Sequence, residues 1–200
     1  MSMIYRTAGS SSGGGGGSSG SQVFISKQTV TGTPSSIDFT SGIDSTYQTY
    51  MFLLEGITNN STDYGGRLKI NVSSDGGGSY GLNVYSATSS NFQTASSSGI
   101  SYLTDYDNTN NTDGVSVTGT GVAGDTGFNA SGTIHLHNPS SSTLTKFIIG
   151  RVAYKSDSGV GDFLSTARFD YSNDIDAVKF DLSSGSFTAG SISLYGFKTS

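Results

Sequence analysis

Apolar and polar residues alternate with a period of two along most of the chain after residue 22. Leu68, Ile70 and Val72, for example, would share one face of a strand, with Lys69 and Asn71 on the other. Similar runs recur between clusters of Gly, Asn, Asp and Ser, which favour turns. No stretch shows the apolar period of a helix. The pattern predicts about ten to twelve strands in an all-β fold, an antiparallel β-sandwich or jelly roll.

The apolar segments set the expected strand positions. We predict strands within residues 22–30, 36–41, 47–58, 66–74, 80–86, 100–106, 115–121, 130–139, 144–155, 162–171, 175–185 and 190–198. The Ser-rich residues 86–99 read as mainly loop. Residues 184–198 read as a hairpin that turns at Ala189 and Gly190. In residues 41–47 we expect Gly42 to allow a backbone kink and Asp44 or Ser45 to make a local side-chain bond.

The first 21 residues have a different composition. Residues 1–8 form a short peptide that includes Met3, Ile4, Tyr5 and Arg6, and residues 9–21 are almost all Gly and Ser. Such a linker spans roughly 20 Å as a flexible coil. We therefore divide the chain into an N-terminal anchor peptide with an extended Gly/Ser-rich arm, residues 1–21, and a β-sandwich domain, residues 22–200.

The charge balance excludes several classes of function. Charged residues make up 12% of the chain, the net charge is −5 and the pI is about 4.7. There is no basic patch for nucleic acid. No apolar run is long enough to insert into a membrane, and no secretory signal is visible. The chain has no Cys, which excludes disulfides, thiolate metal sites and a Cys nucleophile. We expect assembly in a cytoplasm.

Two segments could hold a metal ion. His135 and His137 would point to the same face of a strand, where a third ligand from a neighbouring strand would complete a zinc site. The favoured alternative is that Ile134 and Leu136 face the core and the histidines face solvent or an interface. Residues 105–114 are rich in Asp and Asn but lack the EF-hand spacing, so turn chemistry is favoured over calcium. We expect no cofactor and no metal.

Nothing in the sequence predicts catalysis. The single glutamate, Glu55, lies inside an apolar strand and is expected to face a polar partner or a subunit contact. No nucleophile-elbow, zinc-protease or phosphate-loop motif is present. We expect a protein that is not an enzyme.

Tyrosines near polar loops suggest a second possibility. Exposed aromatic rings next to Asn and Asp are typical of carbohydrate-binding sites, where rings stack on sugars. Tyr102, Asp105, Tyr106 and Asn108 are the candidate contacts to a glycan or receptor. The structural alternative is that the tyrosine rings fill the core and bond at its edge.

Three longer segments carry a resemblance to a known group of proteins. Residues 37–57 contain FTSGIDSTY before an apolar strand, residues 131–154 contain a strand ending in Asn-Pro, and residues 178–198 contain SSGSFTAGSISLYG. This arrangement resembles small β-sandwich virion structural proteins of tailed phages, especially marine and cyanobacterial ones. The likeness covers most of residues 23–198 and omits the arm. It implies a structural or appendage role and no catalytic residues.

The resemblance and the arm together suggest how the protein acts. We expect a virion protein, a capsid decoration or cement subunit or a tail or fibre component, that contacts other capsid or tail subunits. Met3, Ile4 and Tyr5 would anchor in a neighbouring subunit, with Arg6 paired to a carboxylate at the rim. A homo-oligomer, such as a trimer, fits this role. The alternative is a carbohydrate- or receptor-binding module of an adsorption apparatus that binds a host surface glycan.

Overall fold

The computed structural model describes residues 22–61, 66–119, 129–156, 159–169 and 174–198. Within these ranges the chain is all-β, with thirteen strands in two antiparallel sheets and no α-helix. The only helical element described is a single 3₁₀ turn at Thr104–Tyr106. The all-β expectation is confirmed. Met3, Ile4, Tyr5 and Arg6 lie outside the described residues.

The two sheets differ in width. The nine-stranded sheet contains, in spatial order, β1 (Gln22–Thr29), β13 (Phe187–Phe197), β3 (Thr49–Asn59), β9 (Ala130–His137), β10 (Lys146–Ser156), β11 (Gly159–Phe169), β5 (Val84–Thr94) and β6 (Ser98–Tyr102), and β7 (Thr109–Asn111) also pairs with β5. The four-stranded sheet contains, in order, β2 (Ser36–Phe39), β12 (Ala177–Leu182), β4 (Leu68–Ser73) and β8 (Val115–Ser116).

The sheets pack against each other through apolar side chains on their facing sides. Phe39 and Phe180 of the four-stranded sheet meet Phe52 of the nine-stranded sheet, with ring centroids 5.3–5.4 Å from Phe52 in edge-to-face contact. Such pairs add about 0.5–1.5 kcal/mol each beyond their burial. Ile134 and Leu136 are fully buried in the same core, which places the histidines beside them on the opposite side of β9.

Two predicted segments are corrected. The Ser-rich residues 86–99 are mostly strand, because β5 lies between β11 and β6 and pairs with both. The predicted hairpin at Ala189 and Gly190 is wrong: β13 runs through both residues as one strand. Gly190 has φ of +104° and causes a bulge opposite β3. Ile192 and Leu194 are buried as expected, whereas Tyr195 lies on the other side of the strand.

The turn before β3 is confirmed. Gly42 has φ of +84°, and a side chain there would come within 2.6 Å of Ile25 Cγ2. The Asp44 carboxylate accepts a hydrogen bond from the backbone N–H of Thr46 at 2.8 Å. A hydrogen bond with the Thr46 side chain, followed by this backbone bond, lowers the pKa of Asp44. The chain enters β3 directly after this turn, and the Tyr50 side chain on β3 is buried in the core.

Candidate binding surfaces

The side of the nine-stranded sheet that faces away from the core carries most of the exposed large hydrophobic side chains of the described residues. We call it the outer face. Eight large hydrophobic side chains are exposed among the described residues, and the strand registers place seven of them here. The seven are Phe24, Ile100, Tyr102, Phe147, Ile149, Val160 and Leu164. Single exposed hydrophobic residues are ordinary, but a contiguous apolar patch on one face indicates an interaction surface.

Two rows of side chains cross the centre of the outer face. The first row consists of Phe24, Tyr195, Met51, His135, Ile149, Thr166 and Ala87. The second consists of Gln22, Phe197, Thr49, His137, Phe147, Arg168 and Tyr85. When the histidines are neutral, Arg168 is the one formal charge in the two rows. Its guanidinium lies over the Tyr85 ring, 4.5 Å from the centroid.

His135 and His137 lie at the middle of these rows. Their rings are stacked, with centroids 6.1 Å apart, and the Phe197 ring lies 6.1 Å from His135. Thr49 Oγ1 is 3.1 Å from Nδ1 of His137. Partial burial lowers the pKa of both imidazoles, and the neighbouring His137 lowers the pKa of His135 further. Both rings are therefore neutral at pH 7.

The histidine pair has the geometry of an interface position. The expectation that Ile134 and Leu136 face the core is confirmed. In the part of the chain that the structure describes, no group of three or more His, Cys, Asp or Glu side chains is placed to hold a metal. A zinc site within one copy would therefore lack its third protein ligand.

Charged pairs lie toward one end of the outer face, beyond the histidine rows. On one half, Lys27 Nζ is 3.1 Å from the Glu55 carboxylate, which gives Glu55 the polar partner expected from its sequence context. On the other half, the Arg151 guanidinium donates two hydrogen bonds of 2.9 Å to the Asp162 carboxylate. Hydrogen bonding from Arg151 is the main reason that the pKa of Asp162 is lowered.

The half of the outer face that contains β11 and β5 also carries an apolar groove of about 320 Å³. Its outer-face walls are Tyr85, Ala87, Phe147, Thr166 and Arg168. Two of these side chains, Ala87 and Thr166, are small, so the groove is a depression between larger neighbours.

A polar cleft lies beside β4 and β8 at the edge of the four-stranded sheet. It has a volume of about 130 Å³ and is formed by Arg67, Lys69, Ser116 and residues 105–114. The Arg67 guanidinium lies over the Tyr106 ring, 4.6 Å from the centroid. Lys69 Nζ donates to the carbonyl of Asp113 at 3.2 Å. Basic, acidic and aromatic groups therefore line one small depression.

The four predicted glycan contacts do not share one position. Asp105 and Tyr106 line the polar cleft. Asn108 also borders it but is buried, and its amide donates to the carbonyl of Gly114, so it holds the loop in shape. Tyr102 lies on β6 and hydrogen-bonds the Asp107 side chain, which raises the pKa of Tyr102. Arg67 was not among the predicted contacts, because only the fold brings it over Tyr106.

No protein-family model, curated protein or solved structure matches this chain. Among the described residues, no helix is long and apolar enough to cross a membrane. The functional argument therefore depends on the outer face, the polar cleft and the sequence features described above.

Proposed function

We propose that this chain is a non-enzymatic structural protein of a phage particle, either a capsid decoration or cement subunit or a tail or fibre component. The observation that carries the proposal is the outer face, since a contiguous apolar sheet face is typical of a protein that assembles with others. The resemblance of residues 37–57, 131–154 and 178–198 to virion proteins of tailed phages supplies the kind of assembly. Its site of action is the virion, after assembly in the host cytoplasm.

The finer fold in this proposal is a jelly roll. If β5, β6, β7, β10 and β11 are treated as insertions, eight strands remain, in the chain order β1, β2, β3, β4, β8, β9, β12 and β13. Numbered one to eight, they have the order 1-8-3-6 in one sheet and 2-7-4-5 in the other. Each of these strands is thus followed along the chain by a strand of the other sheet, except that β8 follows β4 within the four-stranded sheet. Double-sheet jelly rolls are common in viral capsid and lectin domains.

The N-terminal residues supply the attachment in this proposal. Met3, Ile4 and Tyr5 form the anchor, Arg6 pairs with a carboxylate at its rim, and residues 9–21 are the tether. The described domain begins at Gln22 on β1, an edge strand of the nine-stranded sheet. A tether that starts at a sheet edge can leave the domain without crossing its core.

Attachment to particles tests this proposal. Gold-labelled antibody against the domain, viewed on purified particles by electron microscopy, should decorate the head or the tail, and either location supports a virion role. Deletion of residues 1–21 should abolish the label while the circular dichroism spectrum of the domain is unchanged. Particles that lack the protein, although the same lysate contains it, would refute the virion role. Undiminished label after the deletion would refute the anchor.

A carbohydrate- or receptor-binding module is the second candidate, and the polar cleft favours it. Tyr106 offers an aromatic ring, and Asp105, Lys69 and Arg67 offer charged hydrogen-bonding groups within one depression. Host surface glycans should bind with millimolar or tighter affinity, and Tyr106→Ala should weaken binding at least tenfold in a titration. Phe24→Ala removes an exposed ring on the outer face and is the matched control. Equal affinity of both variants and the wild type would exclude the cleft as the site.

A further inference from the structure

We propose that the outer face binds a second copy of this chain, face to face about a two-fold axis along β9, and that acid separates the two copies by protonating His135 and His137. The inference rests on the same outer face as the proposed function and names a second copy of this chain as the partner of that face. Its failure is distinguishable, because it concerns the oligomeric state of the purified chain and not its presence on a particle.

The outer face is large enough for a stable dimer. Seven strands at a spacing of about 4.8 Å and four rows of side chains at about 6.8 Å cover roughly 900 Å². Standard stable interfaces bury about 800 Å² on each partner. The central rows are uncharged except for Arg168, so their burial costs little desolvation, which is typical of the centre of an interface.

The two halves of the outer face complement each other. A two-fold axis along β9 places β1 and β13 of one copy over β5 and β11 of the other, because these strands lie at equal distances on either side of β9. The first half presents the large rings of Phe24 and Tyr195, which pack edge to face with centroids 5.6 Å apart. The second half presents Thr166 and Ala87 in the apolar groove. Large side chains on one copy therefore face small ones on the other, which favours a second copy as the occupant.

The charged side chains at the end of the outer face are also brought together by this two-fold axis. The axis brings the half that carries Lys27 and Glu55 over the half that carries Arg151 and Asp162. The pair in each half contains one positive and one negative side chain, so opposite charges can meet across the interface, while Lys155 and Arg168 add two positive charges to the half that contains β10 and β11. Like charges at these positions would oppose this register.

The axis also brings the histidine pair of one copy against that of the other. The residues that flank the pair on β3 and β10, Thr49, Met51, Phe147 and Ile149, carry no charge. Several titratable or charged groups face this region from the surrounding strands: Tyr195 on β13, Lys27 on β1, Glu55 on β3, Arg151 and Lys155 on β10, Arg168 and Asp162 on β11, and Tyr85 on β5. Protonation would place four imidazolium groups together in an apolar contact. Burial at the interface therefore favours the neutral rings and opposes association in acid.

The test measures the mass of the full-length chain in solution, by analytical ultracentrifugation with EDTA present. We expect a dimer at pH 7.5 and a dissociation constant at least tenfold higher at pH 5.5. A double variant, His135→Phe with His137→Phe, keeps the rings but cannot titrate. Its dissociation constant should change much less between the two pH values.

A charge placed at the centre of the face provides the second arm. Ile149→Glu, at a half-exposed position on β10, should give a monomer at pH 7.5. Ser35→Glu adds the same charge at an exposed site before β2 and should leave the dimer intact. A wild-type monomer at pH 7.5 at high protein concentration would overturn the inference. A trimer, an association lost in EDTA, or a dimer unaffected by Ile149→Glu would overturn the face-to-face pairing.

Discussion

Replacement of Tyr50 by Phe should lower stability at neutral pH, and the difference from the wild type should shrink as the pH rises. Tyr50 is fully buried, and its hydroxyl donates to the carbonyl of Asp44 and accepts from the backbone N–H of Asp44, both at 2.9 Å. Loss of these bonds leaves two backbone groups to find other partners. Because Asp44 itself is exposed and water can reach it, we expect a cost of about 1–2 kcal/mol near pH 7.

The pH dependence follows from the ionisation of the phenol. Burial, the largest cause, raises the pKa of Tyr50 from 10.0 to about 12. As the pH rises through this interval, the unfolded chain loses the proton first, so the free energy of unfolding falls. The stabilisation is complete below pH 10 and is lost as the pH approaches 12. One such group lowers the free energy of unfolding by about 1.4 kcal/mol between neutral pH and pH 11.

The two effects oppose each other in the comparison. At neutral pH the free energy of unfolding of Tyr50→Phe is lower than that of the wild type. It does not fall further at high pH, because the variant lacks the phenol that ionises. The two free energies of unfolding should therefore become equal near pH 11. Tyr80, whose pKa burial also raises to about 12, contributes equally to both proteins. Urea unfolding followed by circular dichroism at pH values from about 7 to 11 measures the difference.

A control separates ionisation from packing. Phe52→Leu changes a buried ring on the same strand without removing a titratable group, so its stability should fall in parallel with that of the wild type at every pH. Parallel curves for Tyr50→Phe and the wild type would refute the assignment of a raised pKa to Tyr50.

Three further changes test other parts of the fold, each by urea unfolding. Phe180→Ala should cost about 3–5 kcal/mol, because it opens a cavity between the sheets; a cost below 1 kcal/mol would contradict this packing. Gly42→Ala should cost about 1–3 kcal/mol, from positive φ and a close approach to Ile25; unchanged stability would mean that the turn relaxes. Arg151→Ala should cost less than about 1 kcal/mol, because its pairing with Asp162 is largely solvent-exposed; a larger loss would show a structural role.

Strands with strict alternation could be predicted from the sequence. Leu68, Ile70 and Val72 are buried on one side of β4, as their spacing predicts. The placement of Ile134 and Leu136 in the core also followed from spacing alone. In both cases one face of the strand is covered by the other sheet, so apolar residues at every second position mark the buried face.

β5 could not be predicted from the sequence, because polar side chains occupy buried positions on this strand. Thr88 and Ser90 are nearly fully buried, and the single hydroxyl hydrogen of Thr88 is shared between two acceptors, the carbonyl of Leu103 and the Asp107 carboxylate. Ser and Thr favour turns when they stand alone in a sequence. Here the strand is held by β11 and β6 on either side, and the sequence of β5 does not encode those neighbours.

The bulge in β13 shows a second limit. Gly190 resembles a turn residue, yet a side chain there would come within 2.6 Å of the carbonyl oxygen of Gly56 on β3. Gly56 also has positive φ, +61°. The two glycines therefore lie together at an irregularity between paired strands, and a single strand cannot reveal its partner's glycine.

The candidate binding surfaces could also be predicted only in part from the sequence, because they are built from several strands. The side of β9 on which His135 and His137 lie could be predicted from one strand. The apolar row through His135 could not, because it is assembled from seven strands whose order is set by long-range pairing. Similarly, Arg67 and Tyr106 are far apart in the chain, and their contact depends on the loop that the 3₁₀ turn begins.

The positions of the two surfaces determine how their functions combine. Leu68 faces the core, so its neighbours Arg67 and Lys69 lie on the outside of the four-stranded sheet, whereas Phe24 and His135 lie on the outside of the nine-stranded sheet. A copy that docks through its outer face therefore leaves Arg67 and Lys69 uncovered. The two surfaces meet at Asn108, which borders both the polar cleft and the apolar groove. Variants of side chains that line only one of the two surfaces should have additive effects on assembly and on ligand binding. A structural subunit that also presents a binding cleft is thus consistent with the geometry, and the two proposed roles are not alternatives in space.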